Sequence, residues 1–182
     1  YHHPMPEKTH PPQDTRRPRN TRGERQPRKP SGRPERARAE YDHKIISIRR
    51  VTRVVAGGRR FNFSVALIIG NHKGSIGVGI AKASDTALAI EKATRIAKKS
   101  LFAVPTTASM SIPHETQAKY SASVVSLRPA PGHGLVAGSS VRNLLELGGI
   151  TDINAKILSG SKNKLNNARA AVKALQNLAV KK

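Results

Sequence analysis

Eight of the twelve prolines fall within the first forty residues, alongside eleven Lys or Arg and five acids. Only Tyr1, Met5, Ala37 and Ala39 are apolar there. Such a stretch cannot bury enough surface to offset the entropy of ordering it, so any core must be built downstream. Residues 1–41 are expected to be a disordered basic extension. It is either a solvated tail or an arm that condenses onto RNA during assembly. The rest of the chain still carries 22 basic residues against 6 acidic ones, so the foldable part is cationic in its own right. Over the whole chain the formal charge is +22, a field that internal pairing cannot neutralise and that makes a polyanion the natural partner.

Composition narrows the classes further. There is no cysteine, which excludes disulfides, thiolate metal sites and cysteine nucleophiles. Aromatics make up 3% of the chain, too few for a base-stacking platform, so contacts to phosphate, ribose and RNA shape should dominate. No apolar run reaches membrane-spanning length and no secretory leader pattern is present, so a cytosolic location is the default. The sequence suggests no cofactor, membrane partner or homo-oligomer.

The foldable part reads as α+β, a βββα unit followed by βαβα, with each sheet covered by helices. Lys44–Val55 and Phe61–Ile69 are β-rich runs separated by Gly57-Gly58, a hairpin signal with arginines close to its tip. A third strand is expected over Ser75–Ala81. Ser84-Asp85 starts a helix to about Leu101 that should bury Ala87, Ile90, Ala93, Ala97 and Leu101. Lys92, Arg95 and Lys99 share one of its faces, either a solvated stripe or a phosphate contact. Beyond Pro105, a short strand is expected at Ala108–Ile112 and a longer one at Lys119–Leu127. A helix at Ser140–Leu147 should end on Gly148-Gly149, followed by a strand at Thr151–Leu158 and a last helix over about Asn166–Leu178. The expected domains are 42–105 and 106–182.

Two glycine-rich stretches carry candidate chemistry. Gly74-Ser-Ile-Gly-Val-Gly79 has its glycines in the reverse of the dinucleotide-binding order and lies within a strand. Glycines there are expected to admit another backbone, with RNA as the candidate. Pro129–Ser140 leads into a helix N-terminus, where free N–H groups and the dipole would favour phosphate; a plain structural turn is the alternative. Histidines are scattered and no carboxylates pair at catalytic spacing, so neither metal binding nor hydrolysis is indicated.

Several blocks taken together resemble the bacterial small-subunit ribosomal protein five family. Arg50–Phe63 (RVTRVVAGGRRFNF) is similar to its signature hairpin, and Gly74–Ala83 to its next strand. Ile112-Pro-His-Glu115, Pro129–Gly138 and Gly160-Ser-Lys-Asn163 with Asn166 and Arg169-Ala170 recur in the family's order. The likeness spans about residues 42–178. It implies a double-stranded-RNA-binding-like first domain and a two-layer second domain with a left-handed crossover. It further implies binding to small-subunit ribosomal RNA, contact with small-subunit proteins four and eight, proximity to mRNA where it enters the subunit, and an influence on accuracy. The hairpin loop near the spectinomycin site would map to Thr52, Arg53, Val54, Val55, Ala56, Gly57 and Gly58. This chain departs from the family pattern at Ala56, usually lysine, at Val124, often arginine, and at Lys164, commonly proline. His72, Lys73 and Ser75 differ as well.

The reading is a non-enzymatic RNA-binding constituent of the small ribosomal subunit. Arg49, Arg50, Arg53, Arg59 and Arg60 are its first RNA-facing candidates. Lys73, Lys82, Arg128, His133, Arg142, Lys162 and Arg169 follow, all as counterion-displacing contacts that do not read bases. Two alternatives stand beside it. One is a free double-stranded-RNA or nucleoid-binding protein. The other is a small-molecule kinase built on the second domain.

Overall fold

A computed structural model of the chain describes residues 40–178; the expectations for the basic extension fall outside them. Three long strands open the fold: β1 (Asp42–Val55), β2 (Gly58–Gly70) and β3 (Ser75–Ala83). Helix α1 (Thr86–Lys99) and the two-residue β4 (Phe102–Ala103) follow. The sheet order is β1-β2-β3-β4, antiparallel throughout. The second sheet has β5 (Thr116–Tyr120), β6 (Ser123–Pro129), β7 (Leu135–Val136) and β8 (Ile153–Ile157) in the order β5-β6-β8-β7, with only β7 and β8 parallel. Helix α3 (Lys164–Gln176) packs on β5 and β6 of that sheet, while α2 (Ser139–Gly148) packs on α3 and on β1 and β2 of the first sheet. The α+β class with two sheets and covering helices is as expected.

Why β2 is so apolar follows from what lies on each side of it. Val65, Leu67 and Ile69 pack with Ala81 beneath α1, against Ala89, Ala93 and Ala97. The alternate residue Ile68 turns the other way, into a larger core with Ile46, Ile76, Leu144, Leu145, Leu147, Val125, Leu127 and Leu175. A strand buried on both faces loses the polar alternation of a half-exposed one, and Val65–Ile69 is uninterrupted. The first sheet is thus the middle layer, and the second lobe completes its far side.

Small residues set the spacing under α1. Asp85 caps the helix by accepting from the Thr86 N–H at 2.7 Å. Its buried positions are Ala89, Ala93 and Ala97, four residues apart, while Ala87 is exposed. Ala87 was expected in the core. Ala93 and Ala97 are buried as expected, but continuing their four-residue spacing back along the helix reaches Ala89, and Ala87 lies about 200° round from it. A Cβ at Gly77 would overlap the Ala97 carbonyl oxygen, and one at Gly79 the Ala93 carbonyl oxygen. The backbone that these glycines admit is therefore that of α1, not RNA.

Two expected strands are corrected. Residues 108–112 form no strand. Met110 has φ 53°, the Met110 N–H closes a turn onto the Thr107 carbonyl, and only Ser111 bridges, to Asp152. The expected run Lys119–Leu127 is a hairpin instead, folded at Ser121 with φ 54°, so that Tyr120 pairs with Ser123. Short alternating serines satisfy a strand pattern and a tight turn alike, and the pattern alone did not separate them. Strand β7 was not expected at all.

The lobes are stitched where the β2–β3 turn meets the end of α2. The His72 N–H donates to Leu147 O (2.8 Å) and the Gly74 N–H to Gly148 O (2.9 Å). Gly149 caps α2 in the left-handed region (φ 72°), as the glycine pair suggested, and a Cβ there would overlap the His72 carbonyl. Lys44 on β1 reaches Glu146 at 3.1 Å, while the His72 imidazole Nδ1 donates to the Glu146 carbonyl at 2.9 Å.

Candidate nucleic-acid interface

β3 pairs with β2 only from Phe63 onward, whereas β1 pairs with β2 all the way to Val55↔Gly58. Residues 51–62 therefore project past the sheet as a two-stranded ribbon. Its turn is Ala56-Gly57, and Gly58 has φ 127°. A free ribbon has no core to hold it, so apolar groups stay exposed: Val54 at 73% and Phe61 at 46%.

Register decides where the arginines point. Arg53 lies directly opposite Arg60, and Arg49, four residues earlier on β1, shares their face. On the other face are Arg59, opposite Val54, and Arg50, whose guanidinium lies 4.8 Å from the Phe61 ring centroid. All five arginines are exposed, and none takes part in an ion pair among the described residues. Like charges facing each other across a strand pair are destabilising. An anion lying along the ribbon would relieve that repulsion.

The second group of candidates divides. Lys73, Lys82 and Lys162 are exposed, without a side-chain partner among the described residues. Arg128 is held by Glu115 (2.7 Å) and Arg142 by Glu146 (2.9 Å). Arg169 donates to the Tyr120 hydroxyl at 3.0 Å and lies over its ring. His133 turns back onto the Pro131 carbonyl of its own loop. These contacts leave Arg128, Arg142 and Arg169 shared with neighbours, in contrast to the ribbon. Arg142 and Lys44 together hold the Glu146 carboxyl below its ordinary range. On α1, Lys92, Arg95 and Lys99 are exposed, and Arg95 pairs with Glu91 at 3.3 Å.

The loop before α2 contains Gly132 and Gly134 at positive φ, and Gly138 caps the helix without a side-chain bond. The Ser140 hydroxyl beside it is buried and has no partner. Among the described residues, no His, Asp or Glu side chains gather into a metal-binding group, and no helix is long and apolar enough to cross a membrane.

Sequence reasoning missed a groove between the lobes. Ser47, Arg49, Ser64, Ala66 and Ile80 of the first sheet form one wall, and Asn163 and Leu165 at the start of α3 form the other. No local signal announces it, because it depends on β1–β2–β3 register and on where α3 begins.

Two family models match in tandem. One, described as ribosomal protein S5, N-terminal domain, covers residues 41–105. The other, ribosomal protein S5, C-terminal domain, covers residues 118–181. The small ribosomal subunit protein uS5c of Rhodomonas salina is 50% identical over 140 residues, 76% of this chain and 83% of that protein. The corresponding protein of Guillardia theta is 46% identical over 82% of this chain and 89% of its own length. The uS5 of Synechococcus elongatus is 47% identical over 77% of this chain and 78% of its own.

Proposed function

The chain belongs to the ribosomal protein S5 family, and from that premise we propose that its ribbon clamps the backbone of small-subunit ribosomal RNA. The protein is a structural, non-enzymatic constituent of the small ribosomal subunit. The observation that carries the clamp is the unpaired arginine set on a projecting hairpin, with Arg53 facing Arg60. A phosphate chain is the partner that fits, since it supplies repeated negative charge without requiring base readout. Lys73 and Lys162 extend the contact from loops and Lys82 from the end of β3, and Arg128, Arg142, His133 and Arg169 join it to the extent that their present partners release them.

Finer roles follow the same reading. The ribbon tip, residues 52–58, lies near the spectinomycin site, and the protein borders mRNA where it enters the subunit. Small-subunit proteins four and eight are its protein neighbours, and it influences accuracy through protein four. Val124, half-buried on β6, stands where many relatives offer arginine; the contact with protein four is then made by other groups. Residues 42–105 and 106–182 act as the two lobes, and residues 1–41 assist assembly.

The test is comigration with small subunits in a salt-washed sucrose gradient, using wild type and an Arg53→Ala/Arg60→Ala variant. Wild type is expected to stay bound, and the variant to wash off at lower salt. A wild-type protein lost at moderate salt, or absent from the particle, overturns the reading in favour of a free RNA- or nucleoid-binding protein.

A further inference from the structure

The groove between the first sheet and the start of α3 has a volume of about 110 Å³. Each polar residue lining it has a group able to donate: the Ser47 and Ser64 hydroxyls, the Arg49 guanidinium and the Asn163 amide nitrogen. No carboxylate lines it. Register carries the charge further: Arg49 pairs with Ser64, and Ser64 with Lys82, so one row across three strands reads cation, hydroxyl, cation. Lys162 and Lys164 flank Asn163 on the opposite wall, both exposed.

The Leu165 and Asn166 backbone N–H groups at the start of α3 are not the binding groups. The Asn163 Oδ1 already accepts from the Leu165 and Asn166 N–H groups, at 3.2 and 3.4 Å. That capping fixes the side chain and leaves its Nδ2 without a partner among the described residues. Ser47, Ser64 and Arg49 have no side-chain hydrogen bond among the described residues either. Both serines line the groove and are only partly exposed.

We propose that this inter-lobe groove is a second RNA-backbone site, seating one phosphodiester between Arg49, Ser64, Ser47 and Asn163. It rests on the ribosomal-RNA reading and adds to it. A lining with four groups able to donate, no carboxylate and a cationic rim suits a ligand group that accepts hydrogen bonds and carries negative charge, and a phosphodiester does both. Arg49 lies at the root of the ribbon, so a strand held by Arg53 and Arg60 can continue into the groove without leaving the cationic face.

The experiment measures affinity of the full chain for purified small-subunit ribosomal RNA across a salt series. Ser64→Val fills the groove without changing charge, in a strand where a β-branched residue is at home. It is expected to weaken binding about tenfold, the loss of roughly one charge-assisted contact, with the thermal midpoint unchanged. Ser47→Val serves as the second plug. Arg49→Gln is expected to lower the salt slope by about one phosphate, and adding Ser64→Val to it should cost little more, since both act on one contact. Wild-type affinity in both serine variants, with the Arg53→Ala/Arg60→Ala loss intact, overturns the groove and leaves the ribbon standing. No binding by wild type overturns the parent reading instead. If inorganic phosphate or AMP alone shifts the Ser64 and Asn163 amide resonances while Ser64→Val binds RNA normally, the groove takes a small anion and the proposal fails.

Discussion

Gly79→Ala tests the reason for the glycines in β3. The new Cβ would overlap the Ala93 carbonyl oxygen and lie 2.8 Å from the Ala97 Cβ. The obstacle is helix backbone, which no rotamer change can move. Overpacking of this kind costs about 1–3 kcal/mol. The overlap with a carbonyl places this substitution at the upper end, while removing a strand glycine returns roughly 0.5–1 kcal/mol. The net expectation is a loss of about 2 kcal/mol. For a fold of this size that lowers the thermal midpoint by about 7 °C. Urea unfolding followed by circular dichroism should show a lower midpoint with an unchanged slope. Gly57→Ala is the control, since nothing lies within 4 Å of its Cβ, and it should stay within about 0.5 kcal/mol of wild type. Adding Ala97→Gly to Gly79→Ala should recover little, because the Ala93 carbonyl remains. Wild-type stability of the free Gly79→Ala protein, together with weakened RNA binding, would refute this reasoning and return these glycines to an RNA role.

Leu144→Ala empties a fully buried position in the core that joins the two sheets. It should cost about 3 kcal/mol in a single unfolding transition, whereas two separate transitions in wild type would show that the lobes do not share that core. Glu146→Gln removes a carboxylate whose folded-state pKa is depressed, first by the hydrogen bond from Arg142 and then by that from Lys44. Its stabilisation is present above the unfolded carboxylate pKa and lost as pH falls through the folded one. The difference between wild type and variant in urea midpoint should therefore exist at pH 7 and vanish in acid. Because the side chain is 37% exposed, that difference should stay below about 1 kcal/mol. Ala56→Lys adds a cation to the ribbon turn and should change spectinomycin inhibition of translation; an unchanged response would remove the tip from that site.

Periodicity and turn chemistry exposed the first three strands, the three helices and the Gly149 cap, because each is set by residues within a few positions. The failures share a cause. At Ser121 and Met110 non-glycine residues adopt positive φ, and nothing in a run of serines, threonines and alanines marks that choice. The candidate site shows the same divide. The ribbon arginines were visible because hairpin and charge coincide in one stretch. The pairings of Arg128 with Glu115 and Arg169 with Tyr120 span 13 and 49 residues, so charge counting treated both arginines as free. The groove joins Ser64 to Asn163, and only the assembled lobes bring those residues together.

One strand explains why so cationic a chain can fold and still present its charge. From Val65 to Ile69, β2 is buried on both sides, beneath α1 on one and in the two-sheet core on the other. From Gly58 to Asn62 the same strand is exposed and carries Arg59 and Arg60. Burial favours folding by roughly 1.5–3 kcal/mol for each large side chain, before entropy is counted. The repulsion between Arg53 and Arg60 falls where no core is disturbed. Since ribbon and core are continuous β-structure, seating the core also sets the ribbon's direction. The price of holding like charges together is met before RNA arrives, and RNA then gains by relieving it. Raising salt should accordingly stabilise the free protein while weakening its hold on RNA, two effects of opposite sign arising from the same arginines.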